Sequence, residues 1–218
     1  DTTVVTNKWM LGTRNSFIVG ISATFLATAL GTVAALGLSR PNMPFKGTIM
    51  AILISPMIVP LIITSAGMFF FYSKIGLTHT YLGLILAHTA LGTPFVVITV
   101  TATLTGFDTN LIRASQSLGA DTMRTFFKVI MPLILPGVIS GALFAFITSF
   151  DEVVVVMFVG SVEQITIPKQ MWAGLRQETS PVILCMATCL VFLSIALLTT
   201  VELLRRRSER LRGIKLRN

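Results

Sequence analysis

Long apolar stretches alternate with short polar connections along this chain, and five of them, at 16–38, 47–72, 81–104, 133–159 and 181–204, dominate the pattern. At about 1.5 Å of rise per residue each can cross ~30 Å of hydrocarbon as a helix. Lipid offers no partner to backbone N–H and C=O groups, so runs this long and continuous must satisfy them internally, as helices do. Outer-membrane strands would instead alternate in character over about ten residues. The pattern therefore predicts an all-α membrane protein with five transmembrane helices. Two connections are long: 105–131 is polar and reads as helix rather than loop, and 160–180 carries Lys169, Trp172, Arg176, Glu163 and Glu178. A Trp at that position reads as an interface anchor.

Composition sharpens this picture. Of the 218 residues, 53% are hydrophobic and 12% charged, about half the usual charge of a soluble domain, which is roughly 25%. Mean hydropathy is +0.83. The deficit calls for a lipid-facing surface rather than an outsized core. The net charge of +8 is concentrated at the end of the chain, where Arg205, Arg206, Arg207, Arg210, Arg212, Lys215 and Arg217 face only Glu209. A basic cluster following an apolar segment anchors to cytoplasmic head groups, and nucleic acid is not an expected partner. Counting Lys and Arg by side gives Arg40, Lys46, Arg113, Arg124, Lys128 and the tail on one face, against Lys8, Arg14, Lys74, Lys169 and Arg176 on the other. The tail, 205–218, is thus expected in the cytoplasm and residues 1–15 outside. Asp1 is preceded by no Met and no signal-type segment, so the numbering is expected to begin inside a longer chain. Cys185 and Cys189 lie four apart in an apolar run without His or Asp at metal-ligand spacing, and read as small helix residues.

Helix contacts are legible as well. Gly20, Thr24, Ala27, Gly31 and Ala35 form one small-residue stripe, and Gly137, Gly141 and Ala145 another. Such stripes let helix backbones approach closely in lipid. Ser-Pro-Met-Ile-Val-Pro, with Pro56 and Pro60, resembles Met-Pro-Leu-Ile-Leu-Pro, with Pro132 and Pro136. Both proline pairs predict irregular backbone.

The segment between the third and fourth stretches carries the most specific pattern. Arg113, Ala114 and Ser115 are followed after three residues by Gly119, and after nine more by Val129, Met131 and Pro132. This resembles the cytoplasmic loop of ABC importer permeases, E-A-A, then G, then I-x-L-P, at the same spacing. The likeness extends over almost the whole chain, from Asn15 and Ser16 to the basic tail. It implies an amphipathic coupling helix in which Arg113, Ala114, Ser115, Leu118, Gly119, Ala120 and Pro132 dock a separate ATPase, with Gly119 at a sharp turn. It also implies a second permease subunit, two ATPase subunits holding ATP and Mg, an external substrate-binding protein, a bacterial inner-membrane location, and six spans in the full subunit. No cofactor is expected on this chain. Arg113 departs from the family's Glu and reverses the charge presented to the ATPase.

Asp151 and Glu152, beside Phe150 in the fourth stretch, would cost several kcal/mol if charged and facing lipid. Ser-Phe-Asp-Glu-Val-Val-Val is similar to the matching stretch of spermidine/putrescine permeases, which implies an amine-bearing substrate with Phe150, Asp151 and Glu152 along its path. A capping or ion-pair role for either acid is the alternative. His88 in the third stretch is either a path residue or bonded to a neighbouring helix, and the following Gly92, Thr93 and Pro94 predict a kink. His79 reads as a solvated turn residue, and Phe69, Phe70, Phe71 and Tyr72 as an aromatic belt. Amino-acid-like compounds or aminophosphonates are alternative substrates, and a passive channel or structural subunit an alternative function. The sequence lacks H-E-x-x-H, G-x-S-x-G and the P-loop pattern, so hydrolytic chemistry is not expected of this chain.

Overall fold

The computed structural model describes residues 2–40, 42–108, 110–177 and 181–211; Asp1 and tail residues 212–218 lie outside them. Ten α-helices and a π turn, with no strand among the described residues, run in the order α1 (Thr2–Leu38), α2 (Lys46–Ile58), α3 (Leu61–Ile75), α4 (Tyr81–Thr105), α5 (Asn110–Ser117), α6 (Thr122–Thr125), the π turn (Phe126–Ile130), α7 (Met131–Phe150), α8 (Val154–Val159), α9 (Ile167–Gln177) and α10 (Pro181–Leu211).

The bundle is built on α1, α4 and α7, which meet along the two small-residue stripes. A Cβ on Gly31 would stand 2.7 Å from Val96 Cβ, and one on Gly141 2.8 Å from Val96 Cα. Glycine is what lets α1 and α7 approach α4 from two sides. Ala27, Ala35, Val96, Val100, Ile134, Val138 and Ala145 fill that core. A second cluster joins Val19, Tyr72, Leu84, Ala87 and Leu91 to Val155, Val156 and Val159, with α8 packed between α3 and α4.

Three of the expected spans change shape. Among the described residues three helical stretches, Asn7–Leu38, Tyr81–Thr105 and Thr122–Phe150, are long and apolar enough to cross a membrane, or four if α2 and α3 count as one span. These two helices form a pair bent by 105°, not the continuous span expected at 47–72. The break falls where proline chemistry puts it: Val59, forced out of the α region by the Pro60 ring, has ψ 134°. The expected fourth span, 133–159, begins about three turns early, because α6, the π turn and α7 run on as one helix from Thr122, and it stops at Phe150 before resuming as α8. The first span continues a helix that already begins at Thr2, so α1 includes residues of the 1–15 segment. Only the third keeps its predicted bounds, and α4 continues helical through the expected kink at Pro94. The last starts where expected and runs further, α10 extending from Pro181 to Leu211, with Cys185 and Cys189 exposed on it.

Candidate functional site

Two places hold the residues singled out in the sequence. The first is the segment connecting α4 to α7. Asp108 accepts the Asn110 N–H at 2.9 Å and starts α5. The helix ends in paired reverse bonds, Gly119 N–H to the Gln116 carbonyl at 2.9 Å and Ala120 N–H to the Ser115 carbonyl at 3.0 Å. That pairing needs a left-handed residue at its centre, and Gly119 sits there with φ +81°. Two residues on, Asp121 caps α6 by accepting the Arg124 N–H at 2.7 Å. Gly-Ala-Asp thus closes one helix and opens the next, and a hydrogen bond between the Ser115 and Thr125 hydroxyls at 2.9 Å ties the two together. The stretch 105–131, expected to be helical with a sharp turn at Gly119, is thus a helix–turn–helix. Its apolar residues do not share one side: Ile112 and Ser115 are half-buried, whereas Leu111, Ala114 and Leu118 are exposed, Leu118 at 88%. Arg113, Gly119 and Pro132 are exposed too, and Ala120 is half-buried. The Asp121 cap was missed, although Asp ahead of a short helical run is a readable start signal.

The π turn follows from Pro132. Without an N–H, and with a ring that crowds the carbonyl four residues back, proline disfavours a regular α turn before it. The chain widens instead, and the Met131 N–H reaches the Phe126 carbonyl five residues away.

The second place is the break after α7. Asp151 ends that helix, its N–H donating to the Ile147 carbonyl at 3.0 Å, and it opens on a cavity of about 260 Å³ lined by Ile147, Phe150, Leu190, Val191 and Ser194 between α7 and α10. Glu152 turns the other way. It is 7% exposed, and its carboxylate accepts the Val155 N–H at 2.9 Å, capping α8. At the far end of α8, the Lys169 ammonium donates to the carbonyls of Val156 and Ser161 at 3.1 and 3.2 Å. Burial holds Lys169 below the ordinary lysine range. α8 is thus bracketed by an acid at its N-terminus and a cation at its C-terminus, the arrangement its dipole favours. The sequence pattern marks Lys169 only as a charge between two apolar stretches.

His88 lies 1% exposed between α4 and α7, with Nδ1 2.7 Å from the Ser149 hydroxyl. It does not join Asp151 in the α7–α10 cavity. His79 is an exposed turn residue with φ 59°, and Phe70 and Phe71 point outward while Tyr72 enters the core. Trp172 is 45% exposed on α9. The segment before α9 is fastened to the bundle by polar residues near the start of the first span. Asn15 donates to the carbonyls of Glu163 and Ile165 at 2.7 and 2.9 Å and accepts from the Tyr81 hydroxyl at 2.9 Å. Ser16 accepts the Ile167 N–H at 2.9 Å. Among the described residues no group of three or more His, Cys, Asp or Glu side chains is placed to hold a metal ion.

A bundle of close-packed apolar helices fits the importer resemblance, and the comparisons with known proteins agree on the family. The family of binding-protein-dependent transport system inner membrane components matches residues 27–211. The chain belongs to this family. As an inner-membrane transport component it is a permease rather than an enzyme. It is 30% identical over 195 residues to the spermidine/putrescine transport system permease protein PotC of Haemophilus influenzae, covering 89% of this chain and 76% of that one. With PotC of Escherichia coli K12 it shares 31% identity over 185 residues, covering 85% and 70%. With the putrescine transport system permease protein PotI of the same strain it shares 30% over 189 residues, covering 79% and 66%. The fold of this permease is also that of a chain of the MetNI methionine ABC transporter in an inward-facing conformation, at TM-score 0.67 and 21% identity over 97% of this chain and 98% of that one. An amino acid ABC transporter crystallised with histidines matches at TM-score 0.69 and 15% identity, covering 94% and 96%.

Proposed function

We propose that this permease forms half of a translocation path for a small amine-bearing solute such as a polyamine, with alternating access driven by a separate ATPase docked on residues 111–132. The observation that carries the reading is the exposed turn Leu118–Gly119 beyond α5: a large apolar residue stands in the open beside a glycine whose Cβ position is empty. A surface residue this apolar next to a position with no side chain suits a groove on a partner. The partners would be a second permease subunit, two ATPase subunits carrying ATP and Mg, and a binding protein outside, with α5 and the basic tail in the cytoplasm of a bacterium. Arg113, exposed on α5, would then meet an acidic rather than a basic surface.

The substrate class rests on the likeness to spermidine and putrescine permeases and on Asp151. A carboxylate open to a cavity walled by Phe150, Ile147 and Leu190 can attract an ammonium group and let its methylene chain lie on apolar surface. Glu152 and His88 act instead through structure, one as a helix cap and one as a bonded core residue.

The test is uptake and ATP hydrolysis by the assembled transporter in vesicles. Replacing Gly119 with Trp is expected to leave hydrolysis running while uptake falls at least tenfold. Asp151→Asn is expected to lower spermidine or putrescine uptake with hydrolysis still stimulated by the binding protein. Normal coupling in the first variant would remove the docking reading, and normal uptake in the second the path role.

A further inference from the structure

A cavity of about 410 Å³ lies between α5 and the bundle. Leu36, Leu104, Phe107, Ile112, Phe126 and Ile130 wall it, and Arg40, Gln116 and Thr122 stand at its polar edge. It collects residues from the ends of α1 and α4, from α5 and from the π turn, so it sits where the spanning helices leave the apolar layer. Arg40 is exposed, and among the described residues no carboxylate pairs with it. The acids of the same segment are committed elsewhere, Asp108 to the Asn110 N–H and Asp121 to the Arg124 N–H.

We propose that this cavity binds an anionic phospholipid, its acyl chain lying against Phe107, Ile112 and Phe126 and its phosphate on Arg40. Two features select that occupant. The apolar wall excludes a free inorganic anion, which would lose its hydration without replacement. An unpaired guanidinium at the depth of the head groups is matched by a lipid phosphate, as in other basic pockets between spanning helices. α5 is tied to α6 and the π turn by the Ser115–Thr125 hydrogen bond, and Thr125 and Phe126 share the cavity wall with Ile112, facing the ends of α1 and α4. A lipid in place therefore props α5 against α1 and α4, and the lipid composition of the membrane sets how firmly that segment follows the bundle. The binding claim stands on the cavity alone; only the propping effect rests on the docking reading above.

The complete transporter is reconstituted in nanodiscs of phosphatidylcholine with or without phosphatidylglycerol of the same chains, and lipid retained after extraction is weighed by native mass spectrometry. Wild type is expected to retain phosphatidylglycerol at least fivefold over phosphatidylcholine. Arg40→Gln should lose that preference, and Arg40→Lys should keep most of it. Ile112→Trp, which fills the cavity from the other wall, should expel the lipid with Arg40 intact and guards against a folding artefact at position 40. Equal retention of the two lipids by wild type, or displacement of phosphatidylglycerol by inorganic phosphate, overturns the site. Uptake per ATP should rise with phosphatidylglycerol in wild type and not in Arg40→Gln. Retained lipid with an unchanged ratio overturns the prop while leaving the binding intact, and loss of ATPase docking itself would show in wild type in either lipid.

Discussion

Val96 has no exposed surface, and glycines press on it from both α1 and α7. Gly31→Ala or Gly141→Ala must push a methyl into backbone or into a Cβ, not into a flexible side-chain end. Overpacking of this kind costs about 1–3 kcal/mol, so both variants are expected to unfold at clearly lower temperature in detergent. Gly67 is the control: nothing stands within 4 Å of its added Cβ, and Gly67→Ala within α3 should gain about 0.5–1 kcal/mol. Gly119 fails by a different route. Its surroundings are empty too, but φ +81° costs an ordinary L-residue about 1–2 kcal/mol. Asparagine tolerates that conformation, so Gly119→Asn is expected to fold like the parent, with Gly119→Val losing thermal stability. Comparing uptake per ATP in the Asn variant then separates a demand for the turn from a demand for empty surface.

The short α8 shows what an element borrows from its flanks. Six residues cannot hold a helix alone, and Glu152 and Lys169 supply the end groups it lacks. Glu152→Ala should cost about 0.5–2 kcal/mol, the usual price of a lost cap, and Glu152→Gln much less, since the amide oxygen still accepts from Val155. Neither is expected to alter amine selectivity, which would be the signature of Asp151. Adjacent acids with unrelated duties were not separable from sequence, because capping depends on where the chain resumes its helix, and that follows from the restart at Val154. The breaks themselves were half-legible. Pro60 and Pro132 announced irregularity, and the structure places a bend at one and a π turn at the other. Hydropathy, however, carries no direction: Val59 is as apolar inside a right-angle bend as inside a straight span. The small-residue stripes and Gly119 were readable because each depends on a local property, size or φ, that glycine alone provides.

At the scale of the whole molecule, the spanning core and the peripheral segment are one piece of helix, since Thr122–Phe150 passes through the π turn without interruption. The turn accommodates one residue more than an α turn would, and this has a consequence for helical phase. Each residue in an α-helix turns the chain by about 100° and advances it by about 1.5 Å. While the π turn holds its extra residue, α5 and α6 face as they would if that residue were absent. Deleting the exposed Phe127 is thus expected to leave the orientation of α5 relative to α7 almost unchanged. Relaxing the turn to α at full length, as Pro132→Ala permits, would swing α5 by about 100° around the α7 axis. Spin-label distances from Ser117 to a site on α4 would read the difference, with the shorter chain resembling the parent more closely than the chain of native length.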